Sequence, residues 1–235
     1  MEKKILIFAA TYNEAGNIKN FIEKILELNI NLDLLIIDDN SPDKTWEIVN
    51  HYKKTNKNIV LIKRKSKEGL DTAHKLAFNY AKEHNYNYLV TLDADLSHDP
   101  TKIPDFLDEL KDEPFVIGSR YIKDGKNEMK LKRYILSVVG NKIIKFVLGI
   151  NCDEFTCAYR GFNLNMLKNF DIDGVSSRGY SFFMETVYLL DSAGYNIKQI
   201  PIKFYDRLKG VSKIPKVEIF RTLKNLFLLK FTKPK

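Results

Sequence analysis

Short apolar runs alternate with amphipathic helical patterns through the first half of the 235-residue chain. The runs lie at residues 5–10, 34–37, 59–62, 88–92 and 115–117. They are apolar on both faces, which is typical of strands buried in a parallel sheet. The first helical pattern comprises Ile18, Phe21, Ile22, Ile25 and Leu26. Repeated strand–helix–strand units predict an α/β fold with a mainly parallel, doubly wound sheet and right-handed crossovers.

Polar segments follow three of these strands. Thr11–Glu14 follows the first strand, Asp38–Asp39 the second, and Asp93–Asp99 the fourth. Parallel sheets bind ligands beyond the carboxyl ends of their strands. We therefore expect the three segments to form one ligand site.

The second half of the chain is less regular. Helices are predicted over residues 140–149, over 180–192 and from Val217 onward, with a partly exposed strand over Ile200–Phe204. A chain of this length can bury one large core, or a core and a small appendage. We expect a domain over residues 1–214 and a basic amphipathic helix over 215–235. That helix either lies on a membrane surface, binds a membrane-spanning partner subunit, or packs on the core.

The positive charge is concentrated near the C-terminus. The net charge is +8, and from Pro201 onward ten Lys or Arg residues face two acids. Such an excess indicates nucleic acid, anionic lipid or a phosphorylated ligand. No apolar run approaches the roughly 20 residues that span a bilayer, and the first residues lack a signal-peptide pattern. Two cysteines alone do not predict a zinc site. We expect a cytoplasmic protein, peripheral on the cytoplasmic face of a membrane.

Asp93 and Asp95 are separated by one small residue at the end of a buried strand. Two carboxylates so placed can face one Mg²⁺ or Mn²⁺ ion, which takes its other ligands from water and substrate phosphates. The alternative is a pair of acids in a turn that caps the next helix. The position after a buried strand favours the metal site. The chain has no phosphate-binding loop of the Walker type and no Gly-x-Gly-x-x-Gly after its first strand, which argues against P-loop ATPases and dinucleotide-dependent enzymes.

Six segments carry a family resemblance. Residues 10–14, 37–43 and 93–100 resemble, in order, the signatures of the inverting glycosyltransferase family 2 with a GT-A, Rossmann-like fold. Residues 118–121, 178–182 and 206–213 resemble its dolichol-phosphate mannose synthase and polyprenyl-phosphate branch. The resemblance runs from about Ile5 to Ile214. It implies transfer of mannose from GDP-mannose to dolichyl or polyprenyl phosphate. UDP-glucose is the second candidate donor, and a glycan or polysaccharide is the alternative acceptor.

The resemblance also implies roles for single residues. Donor contacts are expected from Thr11, Tyr12, Glu14, Asp38, Asp39, Asp93, Ala94, Asp95, Arg207 and Lys213. The metal ligands are expected to be Asp93, Asp95 and Ser97. Arg120 and Arg133 are expected to hold the acceptor phosphate. The catalytic set is accordingly Asp95, Arg120, Arg133, Arg207 and Lys213, the last two on a segment that closes over the donor phosphates.

The chemistry of the reaction also indicates what kind of acceptor to expect. A phosphate monoester has its second pKa at about 6, so it is already a nucleophilic dianion near neutrality and needs no base. It needs cations that position it, and arginine does so with two parallel hydrogen bonds. The chain supplies Arg120 and Arg133 for this task, and Glu185 is the remaining candidate for a base. Two rivals stay open: a nucleic-acid-binding protein, and a sugar-nucleotide sensor without turnover.

Overall fold

The computed structural model describes residues 3–205 and 216–231. Its strands are β1 (Ile5–Thr11), β2 (Asp33–Asp38), β3 (Ile59–Lys63), β4 (Tyr88–Thr91), β5 (Phe115–Ser119), β6 (Lys126–Asn127), β7 (Arg160–Asn163), β8 (Ile197–Pro201) and β9 (Lys203–Phe204). Its α-helices are α1 (Ile18–Leu26), α2 (Thr45–Thr55), α3 (Leu70–Glu83), α4 (Ile103–Glu109), α5 (Leu131–Leu148), α6 (Tyr180–Ser192) and α7 (Lys216–Phe231). Seven strands form one sheet in the order β3-β2-β1-β4-β7-β5-β8.

The first half of the sheet is parallel, as the sequence predicts. β1 pairs with β2 and β4, and β2 pairs with β3, all in parallel. Leu6, Ile7 and Phe8 are fully buried because helices cover both faces of this part of the sheet. The loops that follow β1, β2 and β4 therefore meet at one edge, which is where the three polar segments lie.

Strand β7 is the main feature that the sequence did not predict. It lies between β4 and β5 and is antiparallel to both. Gly161 in this strand faces α4 closely, since a Cβ atom at that position would lie 2.8 Å from Leu110 Cδ1. The missing side chain lets the end of α4 pack directly on the sheet.

The later elements differ from the prediction in their bounds. Helix α5 begins at Leu131, nine residues before the predicted start at Gly140. The strand expected over Ile200–Phe204 is split into β8, which is parallel to β5, and β9, which pairs with β6 in a separate two-stranded sheet. The helix over residues 180–192 is confirmed as α6.

The C-terminal helix is present as α7 and packs against α5 and α6. Leu226 and Leu229 are buried, whereas Phe220, Phe227 and Phe231 are exposed. One face of the helix therefore belongs to the core. Of the helices in the described ranges, none combines the length and the apolar character that a bilayer span requires. The predicted boundary at residues 214 and 215 lies outside the described residues.

Candidate active site

Asp38 joins the loops that follow β1 and β2. Its Oδ2 accepts hydrogen bonds from the hydroxyls of Thr11 at 2.8 Å and Ser41 at 2.6 Å. Its Oδ1 accepts from the Ser41 amide at 2.8 Å. The carboxylate is fully buried, so these three donors replace water around its charge. Asp38 therefore fixes the geometry of both loops, and its predicted contact with a donor stays a prediction.

Further hydrogen bonds connect the same two loops. The amide of Asn13 donates to Ser41 Oγ at 3.0 Å, that of Glu14 to Thr45 Oγ1 at 2.9 Å, and that of Ala15 to Asp43 Oδ2 at 2.9 Å. Burial alone would raise the pKa of Asp43, but hydrogen bonds from Thr45 and the Ala15 amide outweigh it and lower that pKa. The loop after β1 is thus held rigidly against the start of α2.

Two residues that are predicted to contact the donor, Tyr12 and Glu14, lie in the loop after β1. The Tyr12 ring is 37% exposed, and the Lys67 ammonium lies 4.0 Å from its centroid. The Glu14 carboxylate accepts a hydrogen bond from Asn17 Nδ2 at 2.7 Å. An exposed aromatic face beside a cation offers a stacking surface for a base and a charge for a phosphate.

Asp39 is held by an arginine that the sequence analysis did not single out. Its Oδ1 forms an ion pair with the buried guanidinium of Arg64. Its Oδ2 lies 3.3 Å from the Glu68 amide and 3.2 Å from the Gly69 amide, both of which donate to it. Gly69 has a φ of +106°, a conformation that favours glycine. The carboxylate thereby shapes the loop between β3 and α3 at the edge of the site.

The Asp93-Ala94-Asp95 turn follows β4. The Asp93 side chain is 34% exposed, and its Oδ2 lies 3.5 Å from Nδ1 of the buried His98. The Asp95 side chain is buried, and its Oδ1 accepts a hydrogen bond from the Ser97 amide at 3.0 Å. A φ of +62° at Leu96 closes the turn. Two carboxylates thus lie on one tight turn at the sheet edge.

This donor set suits a hard divalent cation. Carboxylate oxygens are preferred by Mg²⁺ and Mn²⁺. The described residues contain no group of three or more His, Cys, Asp or Glu side chains that could hold a metal ion, here or at any other place, so the turn offers two carboxylates and not a complete set of protein ligands. An ion held by Asp93 and Asp95 would take its other ligands from a bound diphosphate and water. The third predicted ligand, Ser97, is 1% exposed, and its amide is bonded to Asp95. Its role as a ligand stays a prediction.

Arg120 forms a buried, bidentate ion pair with Glu154. Its Nε donates to Glu154 Oε2 at 2.7 Å and its Nη2 to Oε1 at 2.8 Å. Thr156 also donates to Oε1, through both its amide and its hydroxyl, each at 3.1 Å. Burial opposes the charge of Arg120, but Glu154 more than compensates and raises the pKa of the guanidinium above its usual value. Arg120 is therefore a fixed cation in a fixed orientation.

Arg133 lies near Arg120. The guanidinium carbon of Arg133 is 5.8 Å from the centroid of the Phe204 ring, and that of Arg120 is 5.1 Å from the same centroid. The structure thus brings together the two arginines that are separated by 13 positions in the sequence. Both cations flank one aromatic ring.

A cavity of about 240 Å³ connects these groups. Its polar lining includes Asp93, His98, Arg120 and Arg133. Its apolar walls come largely from α5 and α7, through Leu136, Ile143, Ile144, Leu223 and Leu226. The cavity therefore combines two cations, Arg120 and Arg133, next to the Asp93-Ala94-Asp95 turn with an apolar wall. The contribution of α5 was missed because its start was predicted too late.

Two other predicted groups have a different outcome. The Glu185 carboxylate is buried and accepts from the Ser176 amide and hydroxyl, at 3.2 and 3.1 Å, and from the Ser177 amide at 2.6 Å. It therefore holds the loop before α6, and Glu185 does not line the cavity. Arg207 and Lys213 lie outside the described residues, so their predicted contacts with donor phosphates stay predictions.

The chain is similar to known proteins in sequence and in fold. A family model described as "Glycosyl transferase family 2" matches residues 6–170. An undecaprenyl-phosphate mannosyltransferase from Micrococcus luteus is 30% identical over 90% of this chain and 87% of its own length. A polyprenol monophosphomannose synthase from Mycolicibacterium smegmatis is 30% identical over 90% of this chain and 81% of its own. A solved mannosyltransferase from Pyrobaculum calidifontis, in complex with GDP-Man and Mn²⁺, shares the fold, with a TM-score of 0.60 at 16% identity over 100% of this chain and 66% of that one.

Proposed function

Because the chain belongs to glycosyl transferase family 2 and is a hexosyltransferase of GT-A fold, we propose that it transfers mannose from GDP-mannose to a polyprenyl phosphate. The observation that carries this proposal is the cavity with Asp93, Arg120 and Arg133 at one part of its lining and the apolar residues of α5 and α7 along its walls. A polyprenyl phosphate likewise has a charged phosphate at one end and an apolar isoprenoid tail. The two 30% identical relatives, which are named for such acceptors, support the same choice.

The donor would lie at the edge formed by the loops after β1, β2 and β4. Tyr12 would offer its exposed ring to the base. Asp39 is on the neighbouring loop, where its amide donates to the carbonyl of Thr11 at 3.0 Å. Asp93 and Asp95 would hold Mg²⁺ or Mn²⁺, which when bound neutralises charge that grows on the leaving diphosphate. GDP-Man and Mn²⁺ in the Pyrobaculum neighbour support this donor and a divalent ion.

The acceptor phosphate would lie between Arg120 and Arg133. Glu154 holds Arg120 through Nε and Nη2 and so keeps its orientation before substrate arrives. A phosphate oxygen then attacks the anomeric carbon and forms the new C–O bond, while the bond to the nucleoside diphosphate breaks on the opposite side with inversion. No proton has to be removed, because the attacking phosphate is already a dianion.

A sugar acceptor is the alternative, and it would need a base. Among the described residues that line the cavity, Asp93 is the sole carboxylate, and it belongs to the proposed metal site. Glu185 is engaged by Ser176 and Ser177. These contacts support a phosphate acceptor. The family and the apolar cavity likewise support an enzyme acting at a membrane surface over a nucleic-acid-binding protein or a sensor.

The proposal is tested by a matched screen of donors and acceptors. GDP-mannose and UDP-glucose are each offered with a short polyprenyl phosphate or with free sugars, in Mn²⁺, in Mg²⁺ and in EDTA. We expect mannosyl transfer to the polyprenyl phosphate with either ion and loss of activity in EDTA. Transfer only to free sugars, or only from UDP-glucose, would overturn the proposed acceptor or donor.

A pair of variants tests the metal site. Asp95→Asn should reduce kcat by about a hundredfold or more, because the diphosphate charge would no longer be neutralised. Asp105→Asn removes an exposed carboxylate that pairs with Lys102 at 2.7 Å, and it should leave kcat unchanged. Full activity of Asp95→Asn would remove this residue from the site.

A further inference from the structure

His98 follows the Asp93-Ala94-Asp95 turn, and the reaction proposed above uses neither of its ring nitrogens. The residue is 2% exposed, and the cavity lining includes it together with Asp93 and Arg120. A buried polar ring has hydrogen-bond partners as a rule, because burial without them costs free energy. The partners of His98 therefore indicate what the ring does in this cavity.

The Nδ1 atom of His98 holds the backbone of Asp93. The Asp93 amide donates to this nitrogen at 3.2 Å, so the nitrogen carries no proton, and the proton of the neutral ring is on Nε2. The Oδ2 atom of Asp93 lies 3.5 Å from the same nitrogen. Without a proton, Nδ1 does not donate a hydrogen bond to that carboxylate. The ring thus fixes the main chain of Asp93 and does not compete with a cation for its carboxylate.

The Nε2 atom faces a cysteine on the opposite side of the ring. It lies 3.4 Å from Sγ of Cys157, which also accepts a hydrogen bond from the Tyr159 amide at 3.4 Å. Burial raises the pKa of the Cys157 thiol to about 12, so its sulfur is a neutral partner for the Nε2 proton. Both ring nitrogens are engaged, which places His98 neither as a metal ligand nor as a base.

The edge-to-face contact of the His98 ring is with Phe204. The two ring centroids are 5.5 Å apart, and the ring planes meet at 72°. Phe204 is the buried aromatic residue that Arg120 and Arg133 both flank, at 5.1 and 5.8 Å from its centroid. The ring of His98 therefore packs on the side chain against which both arginines lie.

The main chain connects the same two segments. His98 and Phe204 form an antiparallel bridge, and the Tyr205 amide donates to the Ser97 carbonyl at 3.0 Å. The Phe204 carbonyl accepts from the Glu128 amide, also at 3.0 Å. These bonds do not depend on the side chain of His98. A substitution at this position should therefore leave the two segments paired and change only what the ring itself orients.

We propose that His98 is a positioning residue with two separate tasks. Through Nδ1, it holds Asp93 in the orientation that a divalent cation requires. Through its ring, it holds Phe204 and thereby orients Arg120 and Arg133 toward the acceptor phosphate. This inference rests on the proposed function, since the two tasks serve its metal site and its acceptor site. Neither task moves a proton.

Two substitutions at His98 separate the tasks. His98→Asn keeps an acceptor atom for the Asp93 amide and removes the ring, so the acceptor KM should rise about three- to tenfold while the affinity for Mn²⁺ is kept. His98→Phe keeps a ring against Phe204 and removes the acceptor atom, so the affinity for Mn²⁺ should fall about tenfold or more while the acceptor KM is kept. Calorimetry with GDP present measures Mn²⁺ binding. Kinetics at saturating Mn²⁺ with a short, water-soluble polyprenyl phosphate measure the KM.

His84 provides the matched control. It is exposed, it does not line the cavity, and its Nδ1 lies 2.9 Å from the Tyr80 carbonyl. His84→Asn and His84→Phe should leave both quantities unchanged. A wild-type protein that binds Mn²⁺ with GDP but transfers nothing to the polyprenyl phosphate would refute the proposed acceptor. The effect of His98→Phe on Mn²⁺ binding would still test the first task.

Two results would overturn the proposal for His98. The first is that both variants change the Mn²⁺ affinity and the acceptor KM to the same extent, or change neither, because His98 would then support the fold alone. The second is a proton on Nδ1 in wild-type protein, since such a ring cannot accept from the Asp93 amide. Nuclear magnetic resonance of protein with ¹⁵N-labelled histidine locates this proton, and it decides the case if urea denaturation shows that a variant does not fold. We expect the proton on Nε2.

Discussion

At the residue scale, buried charges hold together the side of the cavity that is proposed to bind the acceptor. Arg160 is fully buried next to the residues that fix Arg120. Its Nε donates to the Cys157 carbonyl at 2.8 Å, and its Nη2 donates to the carbonyls of Phe155 at 2.8 Å and Phe183 at 2.9 Å. Burial lowers the pKa of Arg160 to about 10, so it remains a cation at neutral pH. Arg160 therefore ties the loop that carries Glu154 to helix α6.

Glu154→Gln should uncouple Arg120 from its support. The variant keeps the size of the side chain but removes the charge, and breaking a buried ion pair costs about 3 kcal/mol or more. We expect a lower free energy of unfolding and an acceptor KM raised more than the donor KM, because Arg120 would lose its orientation. Urea denaturation and steady-state kinetics measure the two effects.

The matched control for this variant is Glu128→Gln. Glu128 pairs with Lys203 at 2.8 Å near the surface, and an exposed pair contributes below about 1 kcal/mol. Equal increases in the two KM values of Glu154→Gln would show that Glu154 supports the fold alone and does not position Arg120.

His74 makes stability depend on pH. Burial lowers the pKa of His74 to about 3 from 6.5, and the Arg160 charge acts in the same direction. Between these values the unfolded chain binds a proton that the folded chain does not, so the stability is present above pH 6.5 and falls as the pH decreases. We expect a loss of about 2 kcal/mol between pH 7 and pH 5 from this group. His74→Gln should remove this part of the slope in urea denaturation, and an unchanged slope would contradict the assignment.

At the element scale, the accuracy of sequence-based prediction changes at the middle of the chain. Strands β1 to β5 were predicted because each is a short apolar run between helical patterns. Strand β7 was missed because Arg160-Gly161-Phe162-Asn163 has no apolar run, and its place between β4 and β5 depends on tertiary packing. Helix α5 was predicted too short, since the prediction began at Gly140 and the helix begins at Leu131.

The residues of the candidate site likewise divide into those that the sequence predicted and those that it did not. Its residues in the loops after β1, β2 and β4 could be predicted, since strand order alone brings those loops together. Arg64 and Glu154 could not be predicted. Each is identified only by its buried partner, which is Asp39 for Arg64 and Arg120 for Glu154, and both partners are distant in the sequence. A single sequence carries no signal for such pairs.

Strand β7 also gives a prediction about packing. Gly161→Ala would place a Cβ atom 2.8 Å from Leu110 Cδ1 and 3.3 Å from Phe106 Cδ1. Overpacking of this kind destabilises by about 1–3 kcal/mol, which thermal or urea unfolding would show. Gly140→Ala is the control, since its Cβ meets nothing within 4 Å and alanine favours the helix by about 0.5–1 kcal/mol. A Gly161→Ala variant as stable as wild type would mean that α4 does not pack so closely on β7.

At the scale of the whole molecule, the two substrates are assigned to opposite parts of one sheet edge. The parallel strands supply the proposed donor side through the loops after β1, β2 and β4. The proposed acceptor side is the cavity lined by α5, α7 and the segments that contain Arg120 and Phe204. The Asp93-Ala94-Asp95 turn lies where the two sides meet, and Asp93 also lines the cavity.

This division predicts how the acceptor tail affects kinetics. Lengthening the tail from one to three isoprene units should lower the acceptor KM by about tenfold or more, because each buried methylene contributes about 0.8 kcal/mol before losses. The donor KM should not change. Kinetics with water-soluble acceptors of defined length would measure both constants. An acceptor KM that is independent of tail length would mean that the apolar walls do not bind the tail.

The hydrogen bonds of Asp38 have a consequence for engineering. The loops after β1 and β2 share one buried carboxylate, whose three donors come from Thr11 and Ser41. A chimera that took only one of the two loops from a relative would leave the buried Asp38 carboxylate without its full set of donors. Its free energy of unfolding would fall by an amount typical of an unpaired buried ion. Exchange of nucleotide preference between homologues should therefore succeed when both loops are transplanted as one cassette.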